Sequence, residues 1–414
     1  MGTLVLFTAS FPYGKKETYL ETEIIYLSKS FNKVEIFPHY YNNKDISCRI
    51  VPENVIVHKP ALPLNKFIRI IYSILGMFNG ANTGAFLKDF YKFKLYKKRG
   101  HFISWFLTFV DYNATHHSKA FKNIRDKNNT TFYFYWGTGW AYCLLNLNQN
   151  NGNIYFMRLH GGEAYLDRSS GYIPLRKILF NKVHFILPIS NHLSEYLQWQ
   201  YNIEPNKIIV SRLGVSGLPF FKEINKINKK VKIVSCSNLI PLKRVDLIID
   251  ALKLLDGRPL DWTHFGDGPE LNKLLNKVKQ KKFKTISVTF SGRVENIEIL
   301  SYYKQQSIDA FINVSKYEGL PVSLMEAMAY GIPCIATDAG ATKEIVNDTN
   351  GILLPNDLEL NALANAIEQI WSSEWNDKKE ESYNNWKLNF NSNNNYKKLC
   401  NALLSNGPIK KSFS

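Results

Sequence analysis

The sequence has no C-x-x-C pair. Its five cysteines, Cys48, Cys143, Cys236, Cys334 and Cys400, are odd in number and scattered along 414 residues. That excludes a disulfide framework and zinc-finger spacing, and it suits a reducing compartment such as the cytoplasm. Long apolar runs are missing too. The most apolar stretches, Phe67 to Phe78 and Phe102 to Val110, fall short of the ~20 residues that cross a bilayer, so any membrane contact is expected to be peripheral. The N-terminus runs straight into TLVLFTAS without a basic n-region or a long h-region, so no secretion is expected. Acidic residues are scarce against basic ones, 35 to 52, which leaves a net charge of +17. Such a surface attracts phosphates, nucleic acid or anionic headgroups. With 45% hydrophobic and 14% aromatic residues the chain can bury sizeable cores, and its length points to two domains.

The chain shows no internal sequence repeat, only a repeated architecture. An apolar run over Leu4 to Thr8, a turn at Pro12 and Gly14, the helical spacing of YLETEIIYLSKSF and the strand-like KVEIFPHY make a βαβ-like opening. Residues 60–125, rich in aromatic and basic side chains, predict helices laid over this domain. FYFYW, IYFMRLH and HFILPIS return to strand character. The first domain is expected over 1–215 and a Pro- and Lys-bearing linker over 216–230. From 231 to 380 the strands VKIVSCS, LDWTHFG, ISVTFSG, DAFINVS and PCIATD alternate with helical segments, the pattern of a doubly wound domain. The Asn- and Lys-rich tail, 381–414, with Trp386, Phe390 and Tyr396, is expected to hold a helix that packs back on the first domain.

The most informative segment is SKYEGLPVSLMEAMAYGIPCIATDAG, Ser315 to Gly340. Pro321 opens a helix expected over about Val322 to Tyr330, and Gly331 and Pro333 stop it. Its first amides form an anion site. Ser323, Glu326 and Tyr330 fall on one stripe of an otherwise apolar helix, so Glu326 is expected away from open solvent. A buried carboxylate needs compensation, either from the two vicinal hydroxyls of a ribose or from an ion pair with a neighbouring Lys or Arg. Glu318, in the loop before the helix, by itself reads more readily as a solvated loop residue. Lys243 and Arg244 lie between a strand and a helix, where cations oppose the helix dipole unless an anion sits between them.

The E-x7-E spacing of Glu318 and Glu326 resembles the hallmark of glycosyltransferase family 4. KRVDLIIDAL (243–252), HFGDGPE (264–270), SGRVEN (291–296), TDAG (337–340) and NGILLP (350–355) resemble its other donor-domain motifs in the right order. The resemblance is strong over Lys232 to Pro355 and weaker before it. It implies an α/β protein of the GT-B fold, two Rossmann-like doubly wound domains facing a central cleft. Glu326 would bind the ribose hydroxyls of a UDP-sugar or GDP-sugar, Glu318 would lie beside the transferred sugar, and the backbone of Gly319, Leu320, Val322 and Ser323 would hold phosphate and sugar oxygens. Lys243 and Arg244 would neutralise the departing diphosphate. Where the family commonly carries an Arg, this chain has Asn238, and Arg244 stands where many members have Gly. The resemblance also places Gly266 and Gly268 beside the nucleotide and Arg293 and Val294 along the base. In the first domain it implies His160 against the donor sugar and Gly14 in the loop over the diphosphate, against the plain readings of a loop histidine and a βα turn.

HFGDGPE is not a full G-x-G-x-x-G, since position 271 is Leu, which disfavours a dinucleotide fingerprint. No DxD stands between strands, so transfer without a metal is expected. The resemblance implies retention of anomeric configuration, with the acceptor hydroxyl attacking from the face the diphosphate leaves and a phosphate oxygen taking the proton. Glu318 and Glu326 are then not a glycosidase pair. KDFYKFKLYKKRG (88–100) suits an anionic membrane surface or an ordinary solvated helix face, and no nucleic-acid motif is present. The motifs look most like bacterial members that build surface polysaccharides such as O-antigen and capsule, whose acceptors ride on a polyprenyl diphosphate at the inner face of the membrane. Two other readings stay open: an epimerase of similar fold acting on a UDP-sugar, and a non-catalytic protein that binds membrane or polysaccharide.

Overall fold

The structure, a computed structural model, describes residues 2–14, 17–40, 48–62, 65–218, 230–405 and 407. Of the expected linker, residues 219–229 lie outside the described residues. The chain divides into two compact units, Met1–Arg212 with Asn395–Ser414, and Leu213–Asn394.

The first unit is built on six parallel strands, β1 (Thr3–Thr8), β2 (Lys33–Pro38), β3 (Val55–Val57), β4 (Thr131–Phe134), β5 (Ile154–Leu159) and β6 (Phe185–Pro188), in the order β3-β2-β1-β4-β5-β6. The strands read as near-continuous apolar runs because both faces are covered. Leu4 and Leu6 of β1 enter one core cluster while Val5 and Phe7, pointing the other way, enter another. The helices are α1 (Tyr19–Ser30), α2 (Lys66–Phe78), α3 (Thr83–Lys92), α4 (Arg99–His117), α5 (Lys119–Arg125), α6 (Arg176–Lys182) and α7 (Asn191–Tyr201). Three begin on side-chain caps: Asn65 accepts from the Phe67 amide, Ser118 from Phe121 and Ser190 from Leu193. The 60–125 region is thus helical, as its composition suggests.

The second unit repeats the plan with β7 (Val231–Cys236), β8 (Leu260–Phe265), β9 (Ile286–Phe290), β10 (Ala310–Asn313), β11 (Cys334–Thr337) and β12 (Gly351–Leu354), all parallel, in the order β12-β11-β10-β7-β8-β9. Its helices are α8 (Val245–Leu254), α9 (Leu271–Lys281), α10 (Asn296–Gln305), α11 (Val322–Met328), α12 (Leu360–Glu368) and α13 (Asp377–Asn389). At the end of α13, Trp386 donates its Nε1–H to Val215 O at 3.1 Å, and the Val215 amide donates to Phe390 O at 2.9 Å. These bonds hold the segment that enters the unit against the one that leaves it. The last helix, α14 (Ser392–Leu404), sends Tyr396, Leu399, Cys400 and Leu403, spaced i, i+3, i+4 and i+7, into the core of the first unit beside Leu20, Ile24 and Leu27 of α1. The tail from 381 therefore holds the end of one helix and the whole of another.

A buried charge cluster ties α1 to the first sheet. Arg158 of β5 and Glu23 of α1 are both fully buried and ion-paired. Tyr133 donates to Glu23 Oε1 at 2.8 Å, and Arg158 Nη2 donates to Ser211 O and Oγ at 3.1 and 2.9 Å. Removing one partner strands the other charge in a dry interior. Arg158→Met is therefore expected to cost about 3–5 kcal/mol in urea unfolding. The double variant Glu23→Leu, Arg158→Met should recover part of that loss; equal destabilisation of the two would contradict the pairing.

Candidate functional site

Because every strand of the second sheet is parallel, the loops that follow β7, β8, β9, β10 and β11 all emerge at one edge. Their backbones interlock closely. A Cβ on Gly266 would lie 1.8 Å from Ser237 O, and one on Gly340 would lie 2.2 Å from Glu318 O. The Gly266 amide donates to Gly292 O at 2.8 Å, the Lys316 amide to Leu242 O at 2.9 Å and the Ala341 amide to Gly319 O at 3.1 Å. Gly268 is likewise packed against the backbone of Leu239. The glycines of HFGDGPE thus serve approach of the chain to itself.

Lys243 ends a single 3-10 turn, Pro241–Lys243, after β7. Its Nζ lies 2.6 Å from Glu318 Oε1, in the loop after β10. Asn313, at the end of β10, donates its amide to the same Glu318 oxygen at 3.2 Å. Both members of the pair are largely shielded from solvent. Arg244 follows with φ +48. Its Nε donates to Val314 O at 2.7 Å, Nη1 to Asn356 O at 2.8 Å, and Nη2 to Ser315 O and Asn356 Oδ1, each at 3.2 Å. The guanidinium fork therefore clamps the loop that carries Glu318.

Helix α11 ends at Met328, two residues before the expected stop, and tightens through the Tyr330 to Ala327 and Gly331 to Met328 bonds. Leu320 and Val322 are buried, while Gly319 and Ser323 are half-buried. Glu326 is half-buried and accepts from Asn296 Nδ2 at 2.9 Å. Desolvation pushes its carboxyl up to about 7, against the opposing Asn296 hydrogen bond. The thiol of Cys236, at the end of β7, is raised to about 12 by burial, further raised by Glu326 and lowered by Lys243. Asn296 opens α10 just after β9, so its bond to Glu326 puts that carboxylate at the sheet edge from which Lys243 also emerges. Arg293 is exposed and Val294 half-buried in the loop between β9 and α10, three and two residues before Asn296.

In the first unit, His160 follows β5, its ring 4.8 Å from that of Tyr135 and 4.2 Å from that of Trp136. Its amide donates to Glu163 Oε1 at 2.9 Å, and its Nδ1 lies 3.3 Å from the same oxygen. Glu163 is buried, which opposes ionisation, yet the His160 contacts hold its pKa below the usual range. His160 Nε2 is buried and has no hydrogen-bond partner among the described residues. Gly14 takes φ +70, and its carbonyl accepts from Arg49 Nε and Nη2 at 2.8 and 2.5 Å. Between β1 and α1, Glu17 accepts from the amides of Ala9, Ser10 and Phe11 at 3.0, 2.7 and 2.7 Å and from Trp136 Nε1 at 2.6 Å. A cavity of about 720 Å³ opens beside this loop, lined by Glu17, His39, Asp111, Trp136 and Trp140 among others. Burial and the nearby Arg69 push the His39 imidazole down to about 3, so it stays neutral.

Sequence reasoning did not pick out Asn296, Asn313 or Glu17 as site groups. Asn296 sits inside the quoted SGRVEN segment and Asn313 ends a strand, but an amide carries no charge pattern to single it out. Among the described residues no group of three His, Cys, Asp or Glu is placed to hold a metal ion.

Because the Glu326 pKa is raised in the folded state, its contribution to stability is present below the unfolded value of 4.5 and is lost as pH rises through about 7. Between pH 4.5 and 8 it should remove up to about 3 kcal/mol from the ligand-free protein. Urea unfolding across that window should show this component in the wild type and lack it in Glu326→Gln; identical slopes would refute the shift.

Residues 219–389 match the family model described as Glycosyl transferases group 1. The chain is 26% identical over 205 residues to the lipopolysaccharide core biosynthesis mannosyltransferase LpsB of Rhizobium meliloti (strain 1021), covering 46% of this chain and 56% of that protein. It spans about half the length of the curated relatives it matches. Among solved structures, the apo lipopolysaccharide outer core galactosyltransferase WaaB superposes with a TM-score of 0.68 at 16% identity, over 98% of this chain and 99% of that one. Anabaena Alr3699/HepE in complex with UDP gives 0.65 at 14% identity, over 98% and 100%. The fold is accordingly the GT-B fold of two Rossmann-like domains, and its second half is similar to the glycosyl transferases of group 1.

Proposed function

We propose that this chain is a glycosyltransferase that moves a hexosyl residue from a UDP-sugar or GDP-sugar to a saccharide acceptor, with retention of configuration and without a metal, in surface-polysaccharide biosynthesis. The observation that carries the reading is the Lys243–Glu318 ion pair at the sheet edge that also bears Glu326. Lys243 is the cation for the leaving diphosphate, and the Glu318 carboxylate holds its ammonium in place until substrate arrives. The first-turn amides at Val322 and Ser323 add donors for phosphate or sugar oxygens. Ionised Glu326 accepts from the two ribose hydroxyls, and the compensation they bring lowers its raised pKa again. No carboxylate acts as nucleophile. The acceptor hydroxyl attacks the anomeric carbon on the face the diphosphate leaves, the bond from that carbon to the diphosphate oxygen breaks, and the acceptor proton passes to a phosphate oxygen.

In the first unit, Glu163 holds His160 through its amide and Nδ1, and we assign the His160 ring to the donor sugar. The names of several relatives, among them LpsB and the amylovoran biosynthesis glycosyltransferase AmsD of Erwinia amylovora, support a role in polysaccharide assembly. We assign the acceptor to the polyprenyl-diphosphate-linked saccharides and the site of action to the cytoplasmic face of the cell membrane. No helix among the described residues is long and apolar enough to cross a membrane.

The test combines nucleotide binding with turnover over a panel of nucleotide sugars. UDP or GDP should raise the melting temperature, and nucleotide affinity should climb as pH rises through about 7, the Glu326 value. In Glu326→Gln affinity should fall about tenfold, and the remaining slope should belong to the nucleotide's own phosphate. Lys243→Ala should lower turnover by about a hundredfold. Glu318→Gln should lower turnover while leaving diphosphate affinity unchanged or tighter, because it frees the Lys243 ammonium. Nucleotide affinity unaffected by Glu326→Ala would sink the ribose assignment.

A further inference from the structure

Helix α2 has the sequence KFIRIIYSILGMF, and among its side chains only Ser73 and Gly76 are buried. Gly76 meets α4 so closely that a Cβ there would lie 2.0 Å from Asn113 O. The helix therefore turns its small residues inward and its large ones out: Phe67 is 79% exposed and Phe78 84%, and Ile70, Ile71, Ile74 and Leu75 are exposed with them. That inverts the usual pattern, in which a surface helix buries its apolar stripe. On α4, against which α2 packs, Phe102, Ile103, Phe106 and Leu107 are exposed as well. So many large apolar side chains left exposed on two packed helices mark a contact surface rather than chance exposure.

The end of α3 and the segment between it and α4, which pack on α4, expose charge of one sign. From Lys88 to Arg99 the side chains of Lys88, Lys92, Lys94, Lys97, Lys98 and Arg99 are all exposed, while the sole acid of the run, Asp89, is buried and accepts from the Tyr172 hydroxyl. Tyr91, Phe93 and Tyr96 stand exposed among them. A second copy of the chain docked on this patch by two-fold symmetry would face these cations with the same cations. An anionic bilayer satisfies both features, since acyl chains cover the apolar side chains and headgroup phosphates pair with the lysines.

We propose that α2, with the outward face of α4 and the Lys88–Arg99 run, is a membrane-docking surface that lies in the interface of an anionic lipid bilayer. Leu107 belongs both to this surface and to the lining of the 720 Å³ cavity, together with Thr108 and Asp111 of the same helix. The helix that meets lipid thus also walls the cavity, which suits an acceptor carried by a lipid. In that respect the proposal rests on the function proposed above, but docking itself needs neither donor nor acceptor and can fail while nucleotide binding stands.

Co-sedimentation of the full chain with vesicles of phosphatidylcholine alone, or of phosphatidylcholine with phosphatidylglycerol, tests the assignment. The wild type should bind the anionic vesicles, more weakly at high salt, and leave the neutral ones largely unbound. Ile70→Glu with Ile74→Glu, and separately Lys92→Glu with Lys97→Glu, should each weaken binding at least about tenfold. All of these positions are exposed, so both variants should keep the wild-type melting temperature. A wild type that stays in solution with anionic vesicles, or an Ile70→Glu, Ile74→Glu variant that binds as tightly as wild type, would overturn the proposal. A vesicle-free dimer that this variant makes monomeric would also overturn it, by giving the face to a second copy.

Discussion

A parallel sheet delivers the carboxyl end of each strand to the same edge, and the placement of charge in the second unit depends on that constraint. Lys243 stands 75 residues before Glu318, yet the loops after β7 and β10 that carry them have nowhere else to emerge. The loops then have to pass one another at backbone distance. Gly266 and Gly340 permit this, since any side chain at either position would strike a carbonyl of the neighbouring loop. Once the backbones interlock, Arg244 finds its acceptors on Val314, Ser315 and Asn356, and the Glu318 loop becomes a fixed platform for the ammonium of Lys243.

Ligand-free, that platform is electrostatically self-contained. A partly buried lysine beside a carboxylate avoids the cost of an unpaired charge, and Asn313 helps to hold the carboxylate in register. Among the described residues Glu326 has no such cation; it accepts from the neutral amide of Asn296, and its pKa rises. The two acids of the E-x7-E pair are therefore not equivalent. Glu318 is paired with Lys243, whereas Glu326, raised to about 7, sits near its midpoint at neutral pH and gains most from a ligand that donates hydrogen bonds.

Much of this was legible in the residues, because strands covered on both faces must be continuous apolar runs, and VKIVSCS, DAFINVS and PCIATD can be little else. The E-x7-E spacing and the order of the motifs carried the rest of the outline. What stayed hidden depends on which atoms meet. Arg244 looked like a charge for the diphosphate, but its fork is taken up by loop carbonyls, and nothing in KRVDL records the distance to Asn356. Asn296 and Asn313 are amides in segments full of amides. The apolar run of α2 was visible, yet helices apolar all round are normally buried. Its exposure follows from the Gly76 contact with Asn113, which only the packing of α2 on α4 determines.

The two units share a strand order and differ in what fills the switch point beside their central strand. After β1, three consecutive amides converge on an anion, but the anion is the chain's own Glu17, held also by the Trp136 indole. After β7, the equivalent turn carries a lysine paired across to the next loop. A covalently tethered carboxylate is present at high effective concentration, so an incoming phosphate at the β1 loop would have to displace it from three amide hydrogen bonds. At the β7 edge a diphosphate would meet a cation whose present partner is itself anchored by an asparagine and can let go without exposing a bare carboxylate. One plan of sheet and helix, used twice, thus yields an edge whose amides are taken up by the chain's own carboxylate and an edge whose cation is paired across to the next loop.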